Sequence, residues 1–396
     1  MTVRFNPFSA EFRRNPYPAY RALRETKPVH KTLGMWVLTR HTDVRTVLLD
    51  RSFSAGLIPQ LVTKQAGRVS GENVARIERL GRKSLVFTDN PDHARLRGLV
   101  NRVFTAPAVA KLRPLAEKVA GELLAKASAN GGMDAIAEFA APLPVAVLSE
   151  WMALPAELRE HVAQWTHDIR FLLEPGLMKG EDFTRVADVV ERFAHALDAV
   201  IAVRRECPGD DLISRLLVTR TGGGDRLSDE ELVFVCIMCF VAGNETTKSL
   251  VGNGILAHLT HDVRPEPVNA VNETLRYDSP LQLTKRLATR DVEIGDATIR
   301  EGDQVLLCLG AANRDPEVFT DPDTFDPGRD TTGHLAFGHG MHGCLGGLLA
   351  GLQAEVAFET LFRHRITLVG EPLEWQDHSF IVRGLKRLPV SIGTTA

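Results

Sequence analysis

Apolar and polar residues follow one another in a pattern that predicts mainly α-helices with a smaller β part. From Ala106 to about Arg205, apolar positions recur at three- and four-residue spacing, which is typical of amphipathic helices. Pro28–Thr32 and Met35–Thr39 resemble short strands, and an amphipathic helix is expected from about Thr42 to Leu49. Between Leu287 and Arg329 the chain is rich in Gly, Pro and Asp, which predicts short strands and turns.

The clearest helix start follows the Gly-rich loop Thr221–Gly224. Ser228 and Glu231 have the spacing of a capping box, in which each side chain binds the other's backbone N–H. The helical pattern then continues to about Leu259, a length of roughly 45 Å. Its longest apolar run, Leu232–Ala242, is too short to span a bilayer. So long and apolar a helix is therefore expected to cross the protein interior.

The remaining pattern predicts one more helix, from Cys344 to about Phe362, followed by strands. We expect a single domain over residues 1–396. Its β-rich portions are expected at about 25–55 and 287–330, and its helical core at about 90–280 and 344–362.

Composition narrows the class of protein. The 396 residues are 44% hydrophobic and 24% charged, which is typical of a globular protein. A formal net charge of −3 argues against nucleic-acid binding. Residues 1–20 include four charged side chains and no long apolar stretch, so no secretory segment is predicted. We therefore expect a cytoplasmic protein with no membrane association.

The five cysteines are too few and too scattered for a disulfide framework. Cys236 and Cys239 form a C-x-x-C pair, for which a zinc or redox site is one interpretation. They lie within the apolar run of the long helix and lack a second pair at zinc-binding spacing. Packing in a helical core is therefore the interpretation we favour.

The segment Phe337–Gly346 contains a cysteine among four glycines, directly before an Ala/Leu-rich helix. Glycines permit positive φ and a close approach to a flat group. A cysteine at a helix N-terminus is favoured as thiolate by the helix dipole and free N–H groups. The alternative is a Gly-rich turn with an incidental cysteine.

This loop resembles the F-G-x-G-x-H-x-C-x-G haem loop of the cytochrome P-450 superfamily in its soluble bacterial form. The matching residues are Phe337, Gly338, Gly340, His342, Cys344 and Gly346. The resemblance extends from Asn15-Pro16-Tyr17 to Leu388-Pro389-Val390. It implies a single-domain cytochrome P-450 fold, haem b (iron protoporphyrin IX) as cofactor, and Cys344 as the axial thiolate ligand, which favours O–O cleavage.

The long helix contains Ala242-Gly243-Asn244-Glu245-Thr246-Thr247. Thr246 shares a helix face with Ala242 and could bond back to its carbonyl, bending the helix. Gly243 leaves room for a diatomic ligand, and Glu245 could move protons inward. Alternatively, this is the polar side of a half-buried helix. The segment resembles the family's A-G-x-[D/E]-T-T motif, which implies that Glu245 and Thr246 deliver protons in dioxygen activation with external electrons.

Glu273 and Arg276 are three apart on a predicted helix and could form an ion pair, which is usually solvated and weak. Their sequence is similar to the family's E-x-x-R, and Arg329 follows Phe325-Asp326-Pro327 as its usual third partner. The resemblance implies a structural trio that supports the haem loop.

Haem has two negatively charged propionates, so a haem-binding site is expected to contain cationic side chains. Arg286 begins a segment similar to the family's R-x-A. His93 and Arg97 lie four apart in a segment similar to D-P-P-x-H-x-x-x-R, with Asn90 where Asp is usual. With His342 these residues are the implied propionate ligands, although each could be an exposed cation instead.

The chain departs from the family pattern in two places. Between His261 and Asn272 it is about ten residues shorter, judged against usual connection lengths, which predicts a loop over 262–271 where a helix is common. Ala350 is followed by Gly351 where the family often has arginine, so recognition of the electron donor is expected to differ.

The resemblance implies a hydroxylase or epoxidase for a hydrophobic small molecule, such as a polyketide or macrolide intermediate in antibiotic biosynthesis. Fatty-acid or xenobiotic oxidation is the alternative. A ferredoxin or flavodoxin with its reductase is the expected electron donor, and a monomer the expected state. Substrate contacts are expected in the loop Ala55–Ser84, near Phe171–Leu173, and at Met238, Val241, Ala242, Gln282, Thr284, Ile381 and Val382.

Proteins of two other classes remain. A haem-based gas sensor could use the same cysteine loop, but it would not need Glu245 and Thr246 and would normally carry an output domain. A zinc or redox protein would depend on Cys236 and Cys239. Absorbance of the reduced, carbon-monoxide-treated protein distinguishes these classes.

Overall fold

The structure is a computed structural model that describes residues 5–66, 74–174, 178, 180–263, 265–370 and 373–393. The chain forms two compact units. The first comprises Met1–Ser54, Ala116–Leu143 and Thr246–Ala396, and the second Ala55–Leu115 and Pro144–Glu245. The single domain expected from the sequence stays a prediction, and the two units are described separately.

Helices dominate the described chain, as the hydrophobic pattern predicts. The α-helices are α1 (Ala10–Arg14), α2 (Tyr17–Thr26), α3 (His41–Leu49), α4 (Leu57–Ala66), α5 (Val74–Lys83), α6 (Asp92–Asn101), α7 (Ala106–Ala110), α8 (Arg113–Ala129), α9 (Pro142–Trp151), α10 (Ala156–Ile169), α11 (Gly180–Glu206), α12 (Leu212–Val218), α13 (Asp229–His261), α14 (Pro267–Tyr277), α15 (Leu309–Ala312) and α16 (Gly347–Leu361).

The strands form small sheets in the first unit. They are β1 (Val29–Thr32), β2 (Met35–Leu38), β3 (Phe53–Ser54), β4 (Gly132–Asp134), β5 (Leu283–Ala288), β6 (Val292–Ile294), β7 (Ala297–Ile299), β8 (Gln304–Cys308), β9 (Arg365–Leu368), β10 (Glu374–Trp375), β11 (Leu385–Arg387) and β12 (Pro389–Gly393). The largest sheet has the order β1-β2-β8-β5-β3, in which only the β2–β8 pair is parallel. The strands predicted at Pro28–Thr32 and Met35–Thr39 are confirmed as β1 and β2.

The helical pattern predicted from Ala106 to Arg205 is confirmed for most of its described length but is interrupted by a strand. Strand β4 occupies Gly132–Asp134, and a π-helix follows at Ala135–Ala140. A Cβ on Gly132 would lie 2.5 Å from the carbonyl oxygen of Val390 in β12. The close pairing of β4 with β12 therefore requires glycine at this position.

Helix α13 begins at the predicted capping box. The Ser228 backbone N–H donates to Oε2 of Glu231 at 2.9 Å, and the Glu231 N–H donates to Oγ of Ser228 at 3.3 Å. Glu231 also forms an ion pair with Arg95 of α6. Within the described residues α13 alone has the length and hydropathy of a membrane span, and 67% of its most apolar window is buried inside the protein.

Three predicted boundaries are wrong. The segment Ala55–Ser84, predicted as a loop, contains α4 and α5, with residues 67–73 outside the described chain. In the segment 262–271, α14 begins at Pro267, so the shortened connection does not extend to 271. Helix α16 begins at Gly347, three residues after Cys344, because Gly346 caps it with a non-helical backbone.

Candidate active site

The cysteine loop is held in shape by backbone hydrogen bonds and glycines. The N–H of Cys344 donates to the Phe337 carbonyl at 2.7 Å, closing the loop over a 3₁₀ turn at Gly340–His342. Gly338 and Gly340 have φ values of +67° and +70°, which disfavour any side chain. The loop geometry therefore depends on glycine at both positions.

Close packing imposes a second constraint on the loop. A Cβ on Gly340 would lie 2.9 Å from the carbonyl oxygen of Leu48 in α3. The ring of Phe337 covers the first residue of α16, where a Cβ on Gly347 would lie 3.5 Å from it. The cysteine loop is thus packed between α3 and the start of α16.

Within this loop, Cys344 is exposed and forms no disulfide. Cys236, Cys239 and Cys308 differ from it because burial raises the pKa of each thiol, that of Cys239 to about 12. An exposed sulfur just before a helix N-terminus is the kind of donor that binds a soft metal as thiolate. The chemistry of Cys344 therefore fits a thiolate-bound iron.

The C-x-x-C pair has no features of a metal or redox site. Cys236 and Cys239 lie in α13, and burial raises the pKa of both thiols, so they remain protonated at neutral pH. Among the residues that the structure describes, no group of three or more His, Cys, Asp or Glu side chains could hold a metal ion. These two thiols pack in the core of the second unit.

A fully buried ion pair lies at the end of α14. Nε and Nη2 of Arg276 donate to the two carboxylate oxygens of Glu273, each at 2.7 Å, and neither side chain is exposed. Nε of Arg329 is 3.5 Å from Oε1 of Glu273, and the N–H of Asp326 donates to the same oxygen at 2.9 Å. The two-point contact fixes both side chains.

Asn313 links this ion pair to the cysteine loop, a role that the sequence does not reveal. Its carbonyl oxygen accepts from Nη1 of Arg276 at 3.0 Å. Its side-chain Oδ1 accepts from the N–H of Leu335 at 2.6 Å, and Nδ2 donates to Oγ of Ser279 at 2.8 Å. The segment that leads to Phe337 is thereby connected to the end of α14 by hydrogen bonds.

The cations predicted to bind propionates are divided between the units. In the first unit, Arg286 is buried in β5, where Nη1 donates to the Lys285 carbonyl at 2.7 Å, and His342 ends the 3₁₀ turn. In the second unit, His93 is buried and Arg97 half-buried, one turn apart on α6. Their binding of a cofactor stays a prediction.

The middle of α13 differs in exposure from the turns around it. Ala242 is exposed, whereas Met238 and Val241 are buried. A Cβ on Gly243 would lie 3.2 Å from Cδ1 of Leu148 in α9. Glycine at 243 thus allows close contact between two helices, and its role beside a diatomic ligand stays a prediction.

Glu245 lies beside two basic residues that the sequence analysis missed. Its Oε1 is 4.0 Å from Nδ1 of His167 in α10. Burial lowers the pKa of Arg170, and Glu245 is the first of the carboxylates that oppose this shift. A lone histidine on an amphipathic helix gives no local sequence signal for such a contact.

Among the predicted substrate contacts, Gln282 has hydrogen bonds within the protein, and its contact with a substrate stays a prediction. Its side chain is buried, and Nε2 donates to the Ser279 carbonyl at 2.8 Å and to the Tyr17 hydroxyl at 3.2 Å. The amide therefore serves the protein core. The other predicted contacts are half-buried side chains in the first unit, namely Thr284, Ile381 and Val382.

The stretch near Phe171–Leu173 is a 3₁₀ helix, Arg170–Leu173. The guanidinium of Arg170 lies over the Phe171 ring, 4.6 Å from its centroid. Whether these residues contact a substrate stays a prediction.

Comparison with known proteins agrees with this geometry. Residues 268–368 match the family model described as Cytochrome P450. The chain is 37% identical to the vitamin D(3) 25-hydroxylase of Pseudonocardia autotrophica, covering 99% of this chain and 97% of that protein. It is 35% identical to the 6-deoxyerythronolide B hydroxylase of Saccharopolyspora erythraea, covering 95% of this chain and 96% of that protein.

Solved structures extend the similarity to the fold. The crystal structure of CalO2 matches with a TM-score of 0.92 at 33% identity, covering all of both chains. The chain therefore belongs to the cytochrome P450 family and is a haem-dependent monooxygenase.

Proposed function

We propose that this chain oxidises a hydrophobic intermediate of natural-product biosynthesis, such as a polyketide or macrolide, using haem b bound through Cys344. The exposed cysteine in the glycine loop is the observation that carries the cofactor proposal. The similarity to a 6-deoxyerythronolide B hydroxylase supports the substrate class. The buried apolar side chains of Met238 and Val241, next to exposed Ala242, are consistent with an apolar substrate.

The residues predicted to bind the cofactor would have different roles. Cys344 supplies the thiolate, and the glycines around it let the backbone approach a flat ring. Arg286, His342, His93 and Arg97 are the cations that would bind the two propionates by charge-assisted hydrogen bonds. Phe337, Gly338 and Gly346 would contact the cofactor beside Cys344, and Ala242 and Gly243 are further residues proposed to bind it.

Glu245 and Thr246 are the residues proposed to transfer protons. When bound, haem supplies the activation of dioxygen and the transfer of oxygen to the substrate. Glu245, only 13% exposed, can hold a proton out of bulk water and release it toward the Thr246 hydroxyl. Thr246 can donate one hydrogen bond while accepting another, which makes it a suitable last donor. Electrons come from a separate redox partner, a ferredoxin or flavodoxin with its reductase.

The ligand assignment is tested by replacing the sulfur. We expect Cys344→Ala to abolish the strongly red-shifted band of the reduced, carbon-monoxide-treated protein, because no thiolate remains to bind iron. Cys207→Ala is the matched control, since Cys207 is likewise exposed and outside any disulfide. If Cys344→Ala kept the band and turnover, the ligand would have to be another residue.

The substrate class is tested by a difference-spectrum titration against a panel of lipophilic compounds, which reads displacement of water from the iron. We expect macrolactones and other polyketides to give larger spectral changes at lower concentration than fatty acids of equal carbon number. Tighter binding of the fatty acids would replace the natural-product proposal by fatty-acid oxidation.

A further inference from the structure

Two basic side chains at the end of α10 lie beside Glu245. Nδ1 of His167 is 4.0 Å from Oε1 of Glu245, and the guanidinium of Arg170 is buried next to this pair. The His167 side chain is 47% exposed, whereas that of Glu245 is 13% exposed. His167 is therefore the member of the pair that exchanges protons readily with solvent.

Arg170 determines which nitrogen of His167 carries the hydrogen. Its Nη2 is 3.1 Å from Nε2 of His167, and its Nε donates to the His167 carbonyl at 2.9 Å. A guanidinium can only donate hydrogen bonds, so Nε2 must accept. The hydrogen of the neutral imidazole is consequently on Nδ1, the nitrogen 4.0 Å from Glu245.

We infer that His167 supplies the proton that Glu245 passes on during turnover, an inference that rests on the proposed role of Glu245. A proton from the solvent first binds Nε2 of His167 once Arg170 has moved off it, which gives the imidazolium. The Nδ1–H bond then breaks as Oε1 of Glu245 gains that proton, and the bonding pair stays on the ring, which is left neutral with its hydrogen on Nε2. The ring is neutral before and after these two transfers. Proton exchange with water then restores the Nδ1–H form.

The 4.0 Å separation is longer than a hydrogen bond. A side-chain rotation that shortens it by about 1 Å brings Nδ1 and Oε1 to transfer distance. Since His167 is half-exposed, such a rotation meets little resistance from packing. Proton transfer is thus linked to a small movement of the exposed partner.

The charges around the pair favour the arrival of protons. Asp168 lies 3.7 Å from Arg185 of α11. Burial lowers the Arg170 pKa, and the negative charges of Glu245, Glu174 and Asp168 oppose that shift in this order. Two arginines face three carboxylates, which leaves excess negative charge beside His167.

A purely structural role is the alternative, in which His167 only keeps the Glu245 side chain in place. Two substitutions separate the roles: His167→Ala removes both contact and proton, while His167→Gln keeps a hydrogen-bond donor that cannot gain and lose a proton. His161→Ala is the matched control, because His161 is exposed on the same helix and stacks on Trp165.

The experiment measures product formed per dioxygen consumed, hydrogen peroxide released, and the solvent isotope effect on turnover in the holoenzyme with its redox partner. We expect His167→Ala and His167→Gln to lower the product yield per dioxygen about three- to tenfold, with more peroxide and a larger isotope effect. His161→Ala should match the wild type. Wild-type coupling in His167→Ala, or full recovery in His167→Gln, would overturn the inference.

A double-mutant cycle shows whether His167 acts through Glu245. We expect His167→Ala to have no further effect on coupling in a Glu245→Gln background, because the acceptor is already lost. Additive effects would contradict a shared pathway.

A spectroscopic measurement tests the same contact without turnover. Histidine ¹⁵N NMR of the ferrous carbon-monoxide form should place the hydrogen of His167 on Nδ1, and Arg170→Gln should remove that preference. A hydrogen on Nε2 in the wild type would overturn the inference. Failure of the proposed function itself is recognised separately, because the wild type would then lack the red-shifted carbon-monoxide band.

Discussion

Two segments of helix α13 meet their surroundings in different ways. In the C-terminal segment, residues 252–258, a Cβ on Gly254 would lie only 2.2 Å from Cζ of Phe358. In the central segment, residues 242–247, the nearest atom to a Cβ on Gly243 is 3.2 Å away, and Ala242 is exposed. The helix is closely packed at its end and partly open at its centre.

The polar groups of the two segments differ in the same way. Nδ2 of Asn253 donates to the carbonyls of Asp278 and Arg383 at 3.1 and 3.2 Å. Glu245 instead has an ionisable neighbour, His167, beyond hydrogen-bond distance. Polar groups in the packed segment stabilise the fold, whereas Glu245 in the open segment lies beside an ionisable side chain, as the proposed proton transfer requires.

The largest predicted effect concerns acid stability through His258. Burial lowers its pKa to about 4, below the ordinary value of 6.5, so the unfolded state binds a proton more readily. The stabilisation that depends on neutral His258 is fully present above pH 6.5. As pH falls toward 4, the free energy of unfolding decreases on this account by up to about 3 kcal/mol. In His258→Leu this loss should be absent from the free energy of unfolding, measured in denaturant at pH 8 and pH 5.

In His258→Leu, part of the decrease in the free energy of unfolding at low pH should remain because of His334. Burial also lowers its pKa to about 4, with Arg276 adding to the shift. His195→Leu, at an exposed site, is the control and should retain the wild-type pH dependence. An unchanged pH dependence in His258→Leu would remove His258 from this account.

The second prediction places a methyl group in the packed segment. Gly254→Ala should lower the free energy of unfolding by about 2 kcal/mol, because overlap with the fully buried Phe358 ring exceeds the gain in helix propensity. Thermal or denaturant unfolding measures it. A stabilised variant would show that the Phe358 ring can move aside.

The third prediction concerns the open segment. Thr246→Ala should raise peroxide release on the order of tenfold relative to product while changing the free energy of unfolding by less than about 1 kcal/mol. An oxygen electrode with a peroxide assay measures the ratio, and Thr246→Ser should restore it by returning the hydroxyl. Equal coupling in Thr246→Ala would exclude this residue from the proton pathway.

The smallest effect is expected at the glycine of the open segment. Gly243→Ala should change the free energy of unfolding by less than about 1 kcal/mol, since a small shift of the flexible Leu148 end offsets the gain in helix propensity. A loss as large as that of Gly254→Ala would mean that the two segments are equally packed.

Local sequence signals predicted the elements whose partners are close in sequence. The capping box of Ser228 and Glu231 and the β1–β2 hairpin need only residues within one turn or one hairpin. The helices within Ala55–Ser84 were missed although α5 has apolar residues three apart at Val74, Ile77 and Leu80, because each helix spans only ten residues and gives a short signal.

The site depends on contacts that no local pattern contains. The similarity to a known family predicted roles for Cys344, Glu245 and Thr246, but it gave positions without side-chain directions. His167 approaches Glu245 from a distant helix, and only the tertiary structure brings the two together.

Glu231 has a consequence that reaches beyond helix capping. The same carboxylate that closes the first turn of α13 also binds Arg95, which lies on α6 between His93 and Arg97. Neutralising it would weaken the first turn of α13 and leave Arg95 with only its contacts to Asp225 and the Arg226 carbonyl. A single substitution at Glu231 would therefore affect both the start of α13 and the position of the two cations His93 and Arg97 on α6.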